Sequence, residues 1–128
     1  MTSQTAERFM QTLQQIEQTK DVEPLVAMFT EDAELSNLAA PTPQHGRDGA
    51  RLFWEKYLSV FEQIRSRFTN VIESNNTAVL EWISEGALSS GEELSYKGVS
   101  VIETIDGQVC RFRTYYDSAV FIHQGAKK

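Results

Sequence analysis

The chain has one cysteine, Cys110, in 128 residues, so no disulfide can form within it. Cys110 alternates with apolar and polar neighbours in a strand-like run and reads as a buried, inert thiol rather than a nucleophile. Only two histidines occur, His45 and His123, and neither sits in a His/Asp/Glu cluster at ligand spacing. Metal chemistry is therefore not expected. There is no Gly-rich phosphate loop, nucleophile elbow or Cys-x-x-Cys motif. No apolar run reaches the roughly 18 residues of a membrane helix, which argues against a membrane partner. Met1-Thr2-Ser3-Gln4 lacks a basic-then-apolar export pattern, so a soluble, cytoplasmic protein is the expectation. Basic residues are also scarce. Net charge is -6 and the pI about 4.9, with Lys127-Lys128 as a short basic tail. Nucleic-acid binding requires clustered Lys and Arg to displace counterions, so it is not expected.

What the chain does contain is enough apolar residue, 41%, for one core. A chain of this size forms one domain, here residues 1–128, and buries roughly two thirds of its unfolded surface. Phe9, Met10, Leu13 and Ile16 recur at helical spacing, predicting a helix from Thr5 to Lys20. Asp21 reads as a cap for a short second helix, with Pro24 in its first turn and Leu25, Met28 and Phe29 on its apolar face. Ala33 to Leu38 reads as a strand, and Ala39 to Gly46, with Pro41 and Pro43, as a loop. Asp48 can cap a third helix whose stripe is Phe53, Tyr57, Val60, Phe61 and Ile64. Four strands follow, near Arg67–Glu73, Thr77–Leu88, Leu94–Ile105 and Gln108–Phe121. Their turns are Asn75-Asn76, Ser89-Ser90-Gly91 and the hairpin signal Asp106-Gly107.

The order α-α-β-α-β-β-β-β describes an α+β domain: three N-terminal helices packed on a strongly curved, mixed or antiparallel sheet. Such a cone encloses a pocket at its open end. Strand side chains alternate faces. In the second long strand Val79, Glu81, Ile83 and Glu85 share one side, and Ala78, Leu80, Trp82 and Ser84 the other. In the last strand the sets are Phe112, Thr114, Tyr116, Ser118 and Arg111, Arg113, Tyr115, Asp117. Aromatic residues stand on both faces, which predicts that the outer face is covered as well, by a sheet-to-sheet homodimer.

Three segments carry a resemblance: Asp21-Val22-Glu23-Pro24-Leu25-Val26-Ala27-Met28-Phe29-Thr30-Glu31-Asp32-Ala33, His45-Gly46-Arg47-Asp48, and Gly107 to Asp117. Together they resemble the nuclear transport factor 2-like superfamily, in particular its SnoaL-like, steroid isomerase-like and limonene-epoxide-hydrolase-like branches. The resemblance spans nearly the whole chain and implies the cone fold; the fold hosts enzymes, binding proteins and interaction domains alike. The steroid isomerase residues are not matched. The catalytic Asp falls on Asn37, the helix Tyr on Leu13, and the protonated Asp on Val99 or Ser100. Without a carboxylate to move a proton and two acidic donors for an enolate, that reaction is not expected. The epoxide hydrolase triad falls on Glu81, Ile83 and Thr114 and is lost as well. Its water-holding Asn matches Asn37, while the Tyr paired with it falls on Leu35.

That alignment implies that Glu81, Ile83, Thr114 and Tyr116 point into the cavity, with Leu13 and Asn37, and with Trp54 or Tyr57 as walls. Glu81 between Val79 and Ile83 is then a desolvated acid/base, or else an exposed residue or a partner of Arg111 or Arg113. Asp117 is the only carboxylate in the last strand. It serves as an acid/base, as in SnoaL-like cyclases, or as a structural partner of Arg113 or a loop cap; its parity is opposite to Thr114 and Tyr116 unless a bulge intervenes. Asn37 orients a water or ligand carbonyl, or satisfies local backbone. Tyr116 donates to a ligand or is an aromatic wall. The expected function is binding of, or cofactor-free proton transfer on, a small hydrophobic cyclic or carbonyl compound, as an isomerase, cyclase or lyase. The alternative is a non-catalytic ligand-binding or dimerisation module.

Overall fold

The computed structural model describes residues 3–38 and 42–121. Pro41, His123 and the Lys127-Lys128 pair lie outside them. Helix α1, Gln4–Thr19, opens at Ser3, whose hydroxyl accepts from the Ala6 N–H at 3.1 Å. It closes at Lys20 in a left-handed conformation, φ 68°. Helix α2, Glu23–Val26, is a single turn whose N-cap is Val22 rather than Asp21; Asp21, one residue further out, accepts from the Glu23 N–H through its Oδ1 at 3.1 Å. Strands β1 (Phe29–Asn37) and β2 (Gln44–His45) precede helix α3, Gly46–Ser59. Strands β3 (Phe61–Ser74), β4 (Thr77–Leu88), β5 (Glu93–Ile105) and β6 (Gln108–Tyr116) complete the chain order.

The six strands form one mixed sheet in the order β2-β1-β6-β5-β4-β3. β1 runs parallel to β6 and the other pairs are antiparallel. The hairpin turns behave as their sequences require. Asn75 and Asn76 (φ 50° and 63°) and Asp106 and Gly107 (φ 51° and 80°) all adopt positive φ, the geometry of tight hairpin turns. The α+β cone expected from the element order is thus present, its helices packed on the concave face. The core joins α1 (Phe9, Ile16), β1 (Phe29, Leu35), α3 (Trp54), β4 (Leu80), β5 (Ile102) and β6 (Phe112).

Several boundaries differ from the sequence reading: the last strand ends at Tyr116 rather than Phe121, and Gln44–His45, read as loop, is a short strand. The first strand begins at Phe29 rather than Ala33, because Phe29 is fully buried and its neighbour Val109 draws it into the sheet. Helix α3 is capped at His45, not Asp48, which stands in its first turn and pairs with Arg51 at 3.0 Å. The helix also stops at Ser59. Phe61 and Ile64 are buried, but as strand residues: a bulge between Phe61 and Gln63 puts residues three apart on one face and so imitates helical spacing. Gly86 faces that bulge; a Cβ there would sit 2.8 Å from the Ile64 Cα, so only glycine lets β3 pass this closely.

Candidate functional site

The cone encloses a cavity of about 830 Å³. Helix α1 contributes Leu13, β1 Leu35 and Asn37, and α3 Phe53, Trp54, Lys56 and Tyr57. The sheet contributes Phe61, Ser66, Trp82, Ser84, Tyr96, Ser100, Phe112, Thr114 and Tyr116. Leu38, Leu52, Val60 and Phe121 also border it, the first three of them exposed. The wall is thus mainly aromatic, interrupted by hydroxyls. The rings pack edge to face: Phe53 to Phe112 at 5.6 Å, Trp54 to Tyr57 at 5.7 Å, Trp82 to Tyr96 at 5.3 Å.

Register explains which sheet residues reach the cavity. Ser66, Ser84 and Tyr96 stand side by side across β3, β4 and β5. Trp82, Gly98 and Tyr116 form the next row, and Leu80, Ser100 and Thr114 the row after. Thr114 and Tyr116 therefore face inward together with Trp82 and Ser84. Glu81 and Ile83, expected beside them, do not. They belong to the opposite parity of β4, and Glu81 lies exposed on the convex face opposite Val99. Nor does Glu81 pair with the nearby arginines. Arg113 bonds Glu103 at 2.6 Å, and Arg111 lies 3.6 Å from Glu103 and 3.7 Å from Glu34. Asp117 takes the loop-cap alternative rather than the acid/base one. It follows the end of β6, is exposed, and its Oδ1 accepts from the Ala119 N–H at 3.1 Å, so it caps the last turn. Leu13, Asn37, Trp54, Tyr57, Thr114 and Tyr116 all border the cavity.

The carboxylate at this site is one that the sequence reading passed over. Glu17, on α1 one turn after Leu13, is 4% exposed. Its Oε2 accepts from the Tyr57 hydroxyl at 2.8 Å and from the Ser66 hydroxyl at 2.6 Å, and its Oε1 from the Ser66 N–H at 2.8 Å. Ser66 Oγ lies 2.7 Å from Ser84 Oγ. Burial raises the proton affinity of Glu17 and the three donated bonds oppose that rise, burial being the larger effect. Tyr57 holds its proton far more tightly than a free tyrosine, because it is buried beside the Glu17 charge. Burial pushes Tyr96 and Tyr116 upward too. The signal was present: Glu17 shares the stripe of Ala6, Met10 and Leu13, where a charge stands out.

A second polar row crosses the sheet. Trp82 Nε1 donates to Ser100 Oγ at 2.9 Å, and Ser100 Oγ lies 2.9 Å from Thr114 Oγ1. Trp54 Nε1, by contrast, is buried with no partner among the described residues. Cys110 is partly buried, with Sγ 3.4 Å from the Glu103 carbonyl, and its thiol is pushed up by burial, away from thiolate chemistry. His45 is exposed at the start of α3. Among the described residues no group of three His, Cys, Asp or Glu side chains could hold a metal ion, and no helix is long and apolar enough to cross a membrane.

Solved structures with this fold are many steps away in sequence. An NTF2-like protein from Anabaena variabilis superposes with a TM-score of 0.82 at 20% identity, over 92% of this chain and 95% of that one. TerC, co-crystallised with polyporic acid, superposes at 0.80 and 17% identity, over 94% and 97%. An NTF2-like protein from Burkholderia pseudomallei gives 0.78 at 19% identity, over 91% and 95%. At these identities they establish the fold alone. Among curated proteins none matches this sequence. The model of the SnoaL-like domain matches residues 6–112, from the buried face of α1 to the inward Phe112 of β6, and the chain belongs to that family.

Proposed function

We propose that this protein binds a small, largely apolar cyclic compound inside the cone. The observation that carries this reading is the wall itself: an aromatic cavity of about 830 Å³ with a few hydroxyls converging at one end. TerC was crystallised with polyporic acid, which supports a small organic ligand in a cone of this shape. Among the described residues of the wall there is no Asp, Glu, His or Cys. Acid–base catalysis needs a titrating group within reach of the reacting atom; the wall has the exposed Lys56, and Tyr57, Tyr96 and Tyr116, tyrosines that burial holds protonated. The geometry therefore favours binding over the proton-transfer chemistry expected from Glu81. Proton transfer has one route, with Glu17 acting through Tyr57 or through Ser66 and Ser84, and the buried, proton-attracting Glu17 is the observation in its favour.

A thermal-shift screen of mono- to tricyclic aromatic and alicyclic compounds tests the binding reading. Ligands should raise Tm in wild-type protein and lose the effect when Leu13→Trp fills the cavity. No shift from any of them, with folded protein, would exclude it. Turnover of a bound ligand that vanishes in Glu17→Gln would establish the catalytic route instead.

The same reading includes a homodimer through the convex face. Val79, Ile83, Val99 and Val101 are half-buried there and Tyr115 is 47% exposed, an apolar strip flanked by the Glu103–Arg113 pair. Light scattering after gel filtration gives the answer, twice the chain mass for a dimer and the chain mass otherwise.

A further inference from the structure

We infer that the ligand presents a neutral hydroxyl, phenolic or enolic, to the Tyr57–Ser84 end of the cavity and donates its hydrogen to the protein wall. This rests on the cavity being a ligand site and names the class of ligand it takes. The reason is the direction of the protons. Glu17 accepts three hydrogen bonds, from Tyr57 Oη, Ser66 Oγ and the Ser66 N–H. A hydroxyl has one hydrogen to give. That of Ser66 is committed to Glu17, so the 2.7 Å contact between Ser66 and Ser84 must be made with the hydrogen of Ser84. The hydrogen of Tyr57 is committed to Glu17 as well. Tyr57, Ser66 and Ser84 border the cavity, whereas Glu17 does not. At this end the wall therefore offers lone pairs, with the buried Glu17 carboxyl one hydrogen bond behind Tyr57 and two behind Ser84.

A carbonyl or a phenolate placed there would set lone pair against lone pair. A ligand O–H completes both chains: to Tyr57 and on to Glu17, or to Ser84, Ser66 and Glu17. Oxyanion sites have the reverse polarity, with N–H and O–H groups aimed at the ligand oxygen. The other titratable groups bordering the cavity are Tyr96, Tyr116 and the exposed Lys56. Both tyrosines stay protonated through neutral pH, since burial raises them.

The test uses 4-nitro-1-naphthol, whose anion absorbs in the visible, and its methyl ether, which cannot donate. Below the naphthol's own pKa, the naphthol should bind about tenfold tighter than the ether, the effect of one hydrogen bond to a charge-backed acceptor. On binding, its titration midpoint should move to higher pH and the anion band should fade. Glu17→Gln should return that midpoint toward the free value. Ser84→Ala should weaken the naphthol and spare the ether, and it reads the same chain should the Glu17 variant fail to fold. Equal affinity for the two probes, or preferential binding of the anion, would overturn the inference while leaving the cavity as a ligand site. Binding of neither probe would overturn both.

Discussion

Tyr57 donates its phenolic hydrogen to Glu17 across 2.8 Å, tying α3 to α1 through a carboxylate that is 4% exposed. Removing the hydroxyl leaves Glu17 with the two bonds from Ser66 alone. A buried charge that loses a donor costs about 1–3 kcal/mol. Tyr57→Phe should therefore lower the urea-unfolding free energy by that amount. It should also raise the proton affinity of Glu17 further, since one of the bonds opposing its rise is gone. An NMR titration of the Glu17 carboxyl carbon in both proteins checks the second part; an unchanged midpoint would mean the Tyr57 contact is absent in solution.

Glu17 also gives the protein a specific dependence on pH. Burial holds its folded-state pKa above the ordinary 4.5. Between 4.5 and the raised value, the folded protein holds more of the Glu17 proton than the unfolded chain does. Each step up in pH then favours unfolding, so this stabilisation is complete below 4.5 and is lost as pH rises through the raised value. Glu23 acts in the opposite sense: exposed and bonded to Arg51, it is lowered. Glu17→Gln isolates the effect. The stability of wild type minus that of the variant should fall with rising pH across this window. A flat difference would show that Glu17 is not desolvated.

Much of the fold was legible because local signals agreed with it. Phe9, Leu13 and Ile16 marked the buried stripe of α1, and Asp106-Gly107 marked the last hairpin. The site was harder, for two physical reasons. Alternation separates the two faces of β4 but does not say which is concave when Val79 and Ile83 on one side are as apolar as Leu80 and Trp82 on the other. The serines on the inner face, Ser84 and Ser100, look like solvent-facing residues until Ser66 and Thr114 are placed beside them by register. Glu17 was passed over for a related reason: its charge is tolerated inside only because Tyr57 and Ser66 arrive from distant parts of the chain.

Glu81 lies on the convex face, and its substitution should be silent. Glu81→Gln should leave stability within about 0.5 kcal/mol of wild type. It should leave the affinity for any cavity ligand unchanged, because the backbone of β4 separates its side chain from Trp82 and Ser84. Isothermal titration with the two proteins is sufficient; a tenfold loss for Glu81→Gln would return this carboxylate to the site.

Gly98 holds open the space that Trp82 occupies. It pairs with Trp82 on one side and Tyr116 on the other. A Cβ at position 98 would meet the edge of the Trp82 ring and sit 2.6 Å from the Tyr115 carbonyl. Gly98→Ala should therefore cost about 1–3 kcal/mol as an overpacking change. Trp82 borders the cavity, so the displaced indole should also weaken ligand binding. Denaturation and ligand titration of the same variant separate the two effects; a neutral result in both would mean that the sheet is more open here than the structure shows.

Ser100 supplies the acceptor for the Trp82 indole N–H, at 2.9 Å, on a residue that is 8% exposed. Its hydroxyl also meets Thr114 Oγ1 at 2.9 Å. Ser100→Ala strands the indole donor, a loss of about 1–3 kcal/mol. Thr114→Val should cost less, because Ser100 still satisfies Trp82. With Ser100 already gone, Thr114→Val removes a hydroxyl that has lost its partner. The double variant should therefore be more stable than the sum of the single losses predicts, by about 0.5 kcal/mol or more. Strict additivity in urea denaturation would show that the three groups do not form one chain.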